Sequence, residues 1–130
     1  MNKNDLKDRL KTFSVKAGWI CMKFAPTVVN NVCVGQLARC SSSSASNYRA
    51  ACRGKSKADF LNKLRIVEEE LDESMYFFEM LAEFNPDNKV ELRELYKEAD
   101  ELLSIIVASI NTVLSNIQKE KSSKSLKSSI

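Results

Sequence analysis

The sequence predicts an all-α protein, an antiparallel up-down-up-down four-helix bundle, on three observations. Only three glycines and two prolines punctuate the 130 residues, too few for the many tight turns of a β-sandwich or barrel. Apolar residues recur at alternating spacings of three and four along separate segments, the period that gathers them on one face of a helix. The connections between these segments are short, which forces neighbouring long helices to lie antiparallel. With 44% apolar and 28% charged residues, the chain reads as one soluble domain, large enough to bury a core without disulfide or metal staples.

The first helix, about 4–24, rests on Leu6, Leu10, Phe13, Ala17, Ile20 and Phe24. Pro26 then disfavours the α conformation at Ala25 and stops it. Residues 28–53 are the most ambiguous. Their run from Cys40 to Ser46 has the composition of a flexible loop, because serine competes for backbone hydrogen bonds. No glycine or proline interrupts the chain between Gln36 and Arg53, however, and a continuous helix with a small-residue face is the preferred reading. Gly54 supplies its C-terminus, and Ser56 with Asp59 resembles a capping box with a shortened acid. The third helix, 56–84, carries Phe60, Leu64, Val67, Leu71, Met75, Phe78 and Ala82, and Asn85-Pro86-Asp87 ends it. The fourth, 88–119, carries Leu92, Leu95, Ala99, Leu102, Ile106, Ile110, Val113 and Ile117, and residues 121–130 form a Ser/Lys-rich flexible tail. A second apolar line on this helix, Leu103, Val107, Ile110 and Leu114, fits either a broad core stripe or a subunit interface. These four are the candidate oligomer contacts.

The chemistry on offer is sparse. Histidine is absent, which removes Ser-His and Cys-His nucleophile pairs, His-ligated zinc and imidazole acid/base catalysis. Glu69 and Glu73 share a helix face, but a ferritin-type di-iron site also needs Glu-x-x-His. No Ser-x-x-Lys spacing, Walker loop or dinucleotide Gly-x-Gly-x-x-Gly occurs, so no cofactor, metal or catalytic residue is expected. Cys21, Cys33, Cys40 and Cys52 form no Cys-x-x-Cys pair and read as small, reduced packing residues. The N-terminal residues lack the apolar core of a signal peptide, and no apolar run approaches ~18 residues, which predicts a cytoplasmic protein without a membrane span.

Charge is segregated along the chain. Residues 1–24 hold six basic and two acidic side chains, and residues 25–55 hold four basic and none acidic. Residues 56–84 reverse the sign with three basic against eight acidic, residues 85–118 have three against six, and the last twelve have four against one. One consequence is pairing inside the bundle, with Arg39, Arg49 and Arg53 meeting Glu68, Glu69, Glu70, Asp72 and Glu73. The other is a basic surface of Arg49, Arg53, Lys55, Lys57 and Lys63, joined by the tail lysines, that meets phosphates while Tyr48 stacks on an unpaired base.

The stretch Gln36-Leu37-Ala38-Arg39-Cys40, Ser43, Asn47-Tyr48-Arg49-Ala50-Ala51-Cys52-Arg53, Ser56-Lys57-Ala58-Asp59-Phe60 and Lys63-Leu64 resembles a four-helix-bundle family that includes proteins encoded in intervening sequences of bacterial large-subunit ribosomal RNA genes. Ile66-Val67-Glu68-Glu69-Glu70, Asp72-Glu73-Ser74-Met75-Tyr76 and Glu79-Met80-Leu81 are similar to its third helix, and Glu98-Ala99-Asp100-Glu101-Leu102-Leu103 with Ala108-Ser109-Ile110 to its fourth. Cys40, where serine is commoner, and Phe77-Phe78, in place of a pair that often includes tryptophan, depart from the pattern. The resemblance implies that the serine-rich stretch is helical and that the bundle assembles as a ring-like homopentamer. Related accessory proteins of diversity-generating retroelements share that assembly and are thought to bind nucleic acid through basic surfaces. For most of the family no activity is established. The expected function is therefore a non-enzymatic, self-assembling bundle that binds RNA or single-stranded nucleic acid; the alternative is a protein-interaction scaffold that binds none.

Overall fold

The first three helices begin where a side chain takes over an unpaired backbone N–H. Asn2 and Asp5 form a reciprocal capping box ahead of α1 (Lys3–Cys21). The Thr27 hydroxyl accepts from the Asn30 N–H to open α2 (Val28–Ala51). Ser56 accepts from the Asp59 N–H to open α3 (Lys57–Phe84). A single 3-10 turn with proline at its start, Pro86–Asn88, leads into α4 (Lys89–Ser129). These elements make up the computed structural model, which describes residues 1–129 and contains no strand among them.

Side-chain contacts give the helix directions. Asn30 meets Asn85 while Arg39 meets Glu70 and Glu73, so α2 and α3 run oppositely. Arg9 meets Glu98 while Lys23 meets Glu91, so α1 and α4 do too. Consecutive helices pack together and α1 closes the bundle against α4. The predicted stripes meet in one core: Leu10, Phe13 and Ala17 of α1, Leu37 of α2, Leu64, Leu71 and Phe78 of α3, and Leu102 and Ile106 of α4 are all fully buried. Phe13 and Phe78 cross it edge to face, with ring centroids 6.1 Å apart. By length and composition α4 could cross a membrane, but its apolar stripe, Leu92 through Val113, faces the core.

The serine-rich stretch is helical. Ser41 and Ser44 are buried, and their hydroxyls donate to the carbonyls of Ala38 and Ser41 in the same helix. Satisfied this way, a serine is a small core residue, and the α2–α3 seam is the most extensive in the bundle. Cys40 lies in that seam, accepting from the Ser74 hydroxyl at 3.2 Å. All four cysteines are free thiols. Burial pushes the thiols of Cys33 and Cys40 upward from their ordinary range and that of Cys21 to about 11.

Two boundaries differ from expectation. Helix α1 ends at Cys21, three residues short of Phe24, as the N–H groups of Met22 and Lys23 turn back to the carbonyls of Trp19 and Ile20. Helix α4 continues through 121–129, where the sequence suggests a flexible tail. No glycine or proline breaks it there, and backbone bonding from i to i−4 propagates once the preceding turns are formed.

Candidate nucleic-acid interface

The α2–α3 turn is a close reversal. The N–H of Gly54 donates to the carbonyl of Ala51 at 2.9 Å, and a Cβ on Gly54 would stand 3.0 Å from that oxygen. Glycine suits this site through close backbone approach, since its φ is not positive. The turn brings the end of α2 against the start of α3, and Ala50, Arg53, Lys55, Asp59, Asn62 and Lys63 line an open groove of about 540 Å³.

Within this region the candidate residues divide. Arg49, Arg53 and Lys55 are exposed and make no ion pair among the described residues. Lys63 is half-buried at the groove wall. Lys57 is held by Glu120 of α4, whose carboxyl the ammonium lowers. Tyr48 is not a stacking residue: it is 3% exposed and belongs to the core, behind a groove formed by the start of α1, Phe60 and the Ile105–Val113 face of α4. Burial raises its phenol, with Cys52 adding to the shift. An aromatic followed by Arg looks the same in sequence whether it faces in or out, and only the phase of α2 around Leu37, Cys40, Ser44 and Ala51 turns it inward.

Intramolecular pairing accounts for one of the three arginines in residues 28–53. Arg39 donates to Glu70 at 3.2 Å and to Glu73 at 2.6 Å, while Arg49 and Arg53 lie beyond the acidic part of α3. Glu69 is exposed and Glu73 is turned to Arg39, so the two carboxylates do not converge inside the bundle. Among the described residues no group of three potential metal ligands comes together. Two polar features were missed by sequence reasoning. Arg9 clamps α1 to α4 through a two-point bond to Glu98 at 2.6 and 2.9 Å and a third contact to Glu101, which raises the guanidinium further. Asn30, 4% exposed, exchanges amide hydrogen bonds with Asn85 at 2.8 and 3.0 Å and donates to the Ala25 carbonyl. Sequence spacing shows neither pair, because both join residues more than fifty positions apart.

The candidate oligomer residues also divide. Ile110 is 4% exposed and packs in the core, since the stripe that runs through Ile106 and Val113 carries it inward. Leu103 is half-buried, and Val107 and Leu114 are 36% and 40% exposed.

Residues 11–108 match the sequence profile of the 23S rRNA-intervening sequence protein family. The chain is similar to a solved structure from Bacteroides thetaiotaomicron described as a protein with unknown function from the S23 ribosomal protein family. The two are 26% identical with a TM-score of 0.75, over 85% of this chain and 99% of that one. No curated protein matches it.

Proposed function

Since this chain belongs to the 23S rRNA-intervening sequence protein family, we propose that it acts without catalysis, as a bundle that assembles with copies of itself into a homopentamer and binds RNA. The observation that carries the binding is the trio Arg49, Arg53 and Lys55, exposed around one turn without carboxylate partners among the described residues. Cations left unpaired by their own fold are available to phosphates, and such binding releases counterions and falls steeply with salt. Exposed Val107 and Leu114 beside half-buried Leu103 supply apolar area for self-assembly.

Titration of the full chain with pooled RNA at two ionic strengths tests the reading, with wild type set against Arg49→Ala/Arg53→Ala. The double variant is expected to weaken binding and to lower the salt slope by about two; unchanged binding refutes the site. Neither arginine is in an ion pair among the described residues, so the variant is expected to retain its fold, which circular dichroism checks. Light scattering on the same samples is expected to return five copies, and a monomer removes the ring. Trp19, Tyr76 and Phe84, exposed at the other end of the molecule, favour a protein-interaction scaffold as second reading. That reading gains if protein purified without nuclease carries no nucleic acid.

A further inference from the structure

The antiparallel topology gathers basic residues that are far apart in sequence at one end of the bundle. Lys3 of α1 sits 4.5 Å over the ring of Phe60 near the start of α3. Met1, Asn2, Lys3, Tyr48, Phe60 and Asn116 line a common groove, which places the beginning of α1 and the end of α2 beside the late turns of α4. The bond between Lys57 and Glu120 ties the start of α3 to the same point. Beyond it, residues 121–129 of α4 extend past the other helices for about 14 Å. Lys119, Lys121 and Lys127 on and next to this overhang are exposed and have no ion pair among the described residues. From Glu120 to Ser129 the overhang holds no further acid.

Among the described residues the same end exposes no aromatic side chain fully. Binding sites for unpaired strands combine a basic track with aromatic faces on which bases stack. Here the two are separated along the molecule. Tyr48 is buried and Phe60 half-buried beneath Lys3, while the exposed aromatic side chains among the described residues, Trp19, Tyr76 and Phe84, lie toward the opposite end. A positive surface without π-faces gains from closely spaced phosphates in fixed geometry and gains little from splayed bases.

Resting on the nucleic-acid reading above, we propose that this end of the bundle recognises the phosphate backbone of a double helix, with the α4 overhang and the α2–α3 turn as its two arms, rather than unpaired bases. Recognition of this kind follows backbone shape and charge and is indifferent to sequence.

The test compares the full chain against an RNA duplex of about 16 base pairs, long enough to present two successive minor grooves, a DNA duplex of the same length, and each separated strand. Both duplexes are expected to bind about tenfold more tightly than their strands at one salt concentration, as the denser charge and the missing stacking require. Lys119→Glu/Lys121→Glu/Lys127→Glu, which alters no core residue, is expected to remove that preference and lower the salt slope for duplex by about three. Single strands bound as well as duplexes, or a triple variant that keeps the preference, overturns the proposal while leaving RNA binding standing. Absence of binding to every probe overturns the function proposed above as well.

Discussion

A buried amide pair fastens one end of this bundle. Asn30 and Asn85 each donate to the other, and their remaining donors reach the carbonyls of Ala25 and Leu81. The pair thus joins the α1–α2 connection, the start of α2 and the end of α3 through groups that would each be costly to bury alone. Asn30→Ala is expected to destabilise the protein by about 2 kcal/mol in urea unfolding, because it leaves the Asn85 side-chain oxygen without a donor and removes one of the two bonds to the Ala25 carbonyl. Asn31→Ala, one position away and exposed, should stay within about 0.5 kcal/mol. Residue-level roles of this sort were the least legible in the sequence. Asn30 reads there as a polar residue near a helix start, Tyr48 as an available aromatic and Ile110 as a member of two overlapping stripes. What decides each is the rotational phase of its helix against a partner, which is a property of the packed pair.

The helices themselves were largely written in spacing. The threes and fours that run from Leu6 to Ile20, from Phe60 to Ala82 and from Leu92 to Val113 mark most of the residues that line the core. Late in α3, Ser74 and Leu81 are buried where the spacing points to Met75 and Ala82, which are half-buried. The serine-rich middle of α2 has no such line, since its contribution is small size and its hydroxyls answer their own helix. Composition left loop and helix both open there, and family likeness favoured the helix that the structure contains. Two substitutions separate these readings. Ser44→Ala should change stability by no more than about 0.5 kcal/mol, because the lost bond is to the Ser41 carbonyl of the same helix and alanine has the higher helix propensity. Ser44→Leu should cost about 2 kcal/mol by forcing volume into a fully buried site. A loop serine would tolerate both. The C-terminal turns of α4 were not legible for the opposite reason: a Ser/Lys segment with no apolar stripe carries no mark of the helix it continues, and its extension follows from the turns that precede it.

At the scale of the whole molecule, protonation links the core to solution conditions. The thiols of Cys21, Cys33 and Cys40 and the phenol of Tyr48 all hold their protons more tightly when folded, chiefly through burial. A group whose folded pKa lies above its unfolded value favours the native state fully below the unfolded pKa, and that support is lost as pH rises through the folded one. Stability should therefore hold up to about pH 9 and decline through about pH 11 as the unfolded chain releases these protons first. Thermal melts across that range read the effect; a melting temperature that stays flat would show that these groups exchange protons as freely folded as unfolded.

The separation of basic and aromatic ends has a mechanical consequence. Backbone dipoles of antiparallel helices oppose one another and offset in part, so charged side chains supply much of the moment along this molecule's long axis. In the field of any polyanion the bundle feels a torque before it feels contact, and it turns lysine end first while still several ångströms away. Approach is pre-oriented, and fewer collisions are wasted on the wrong end.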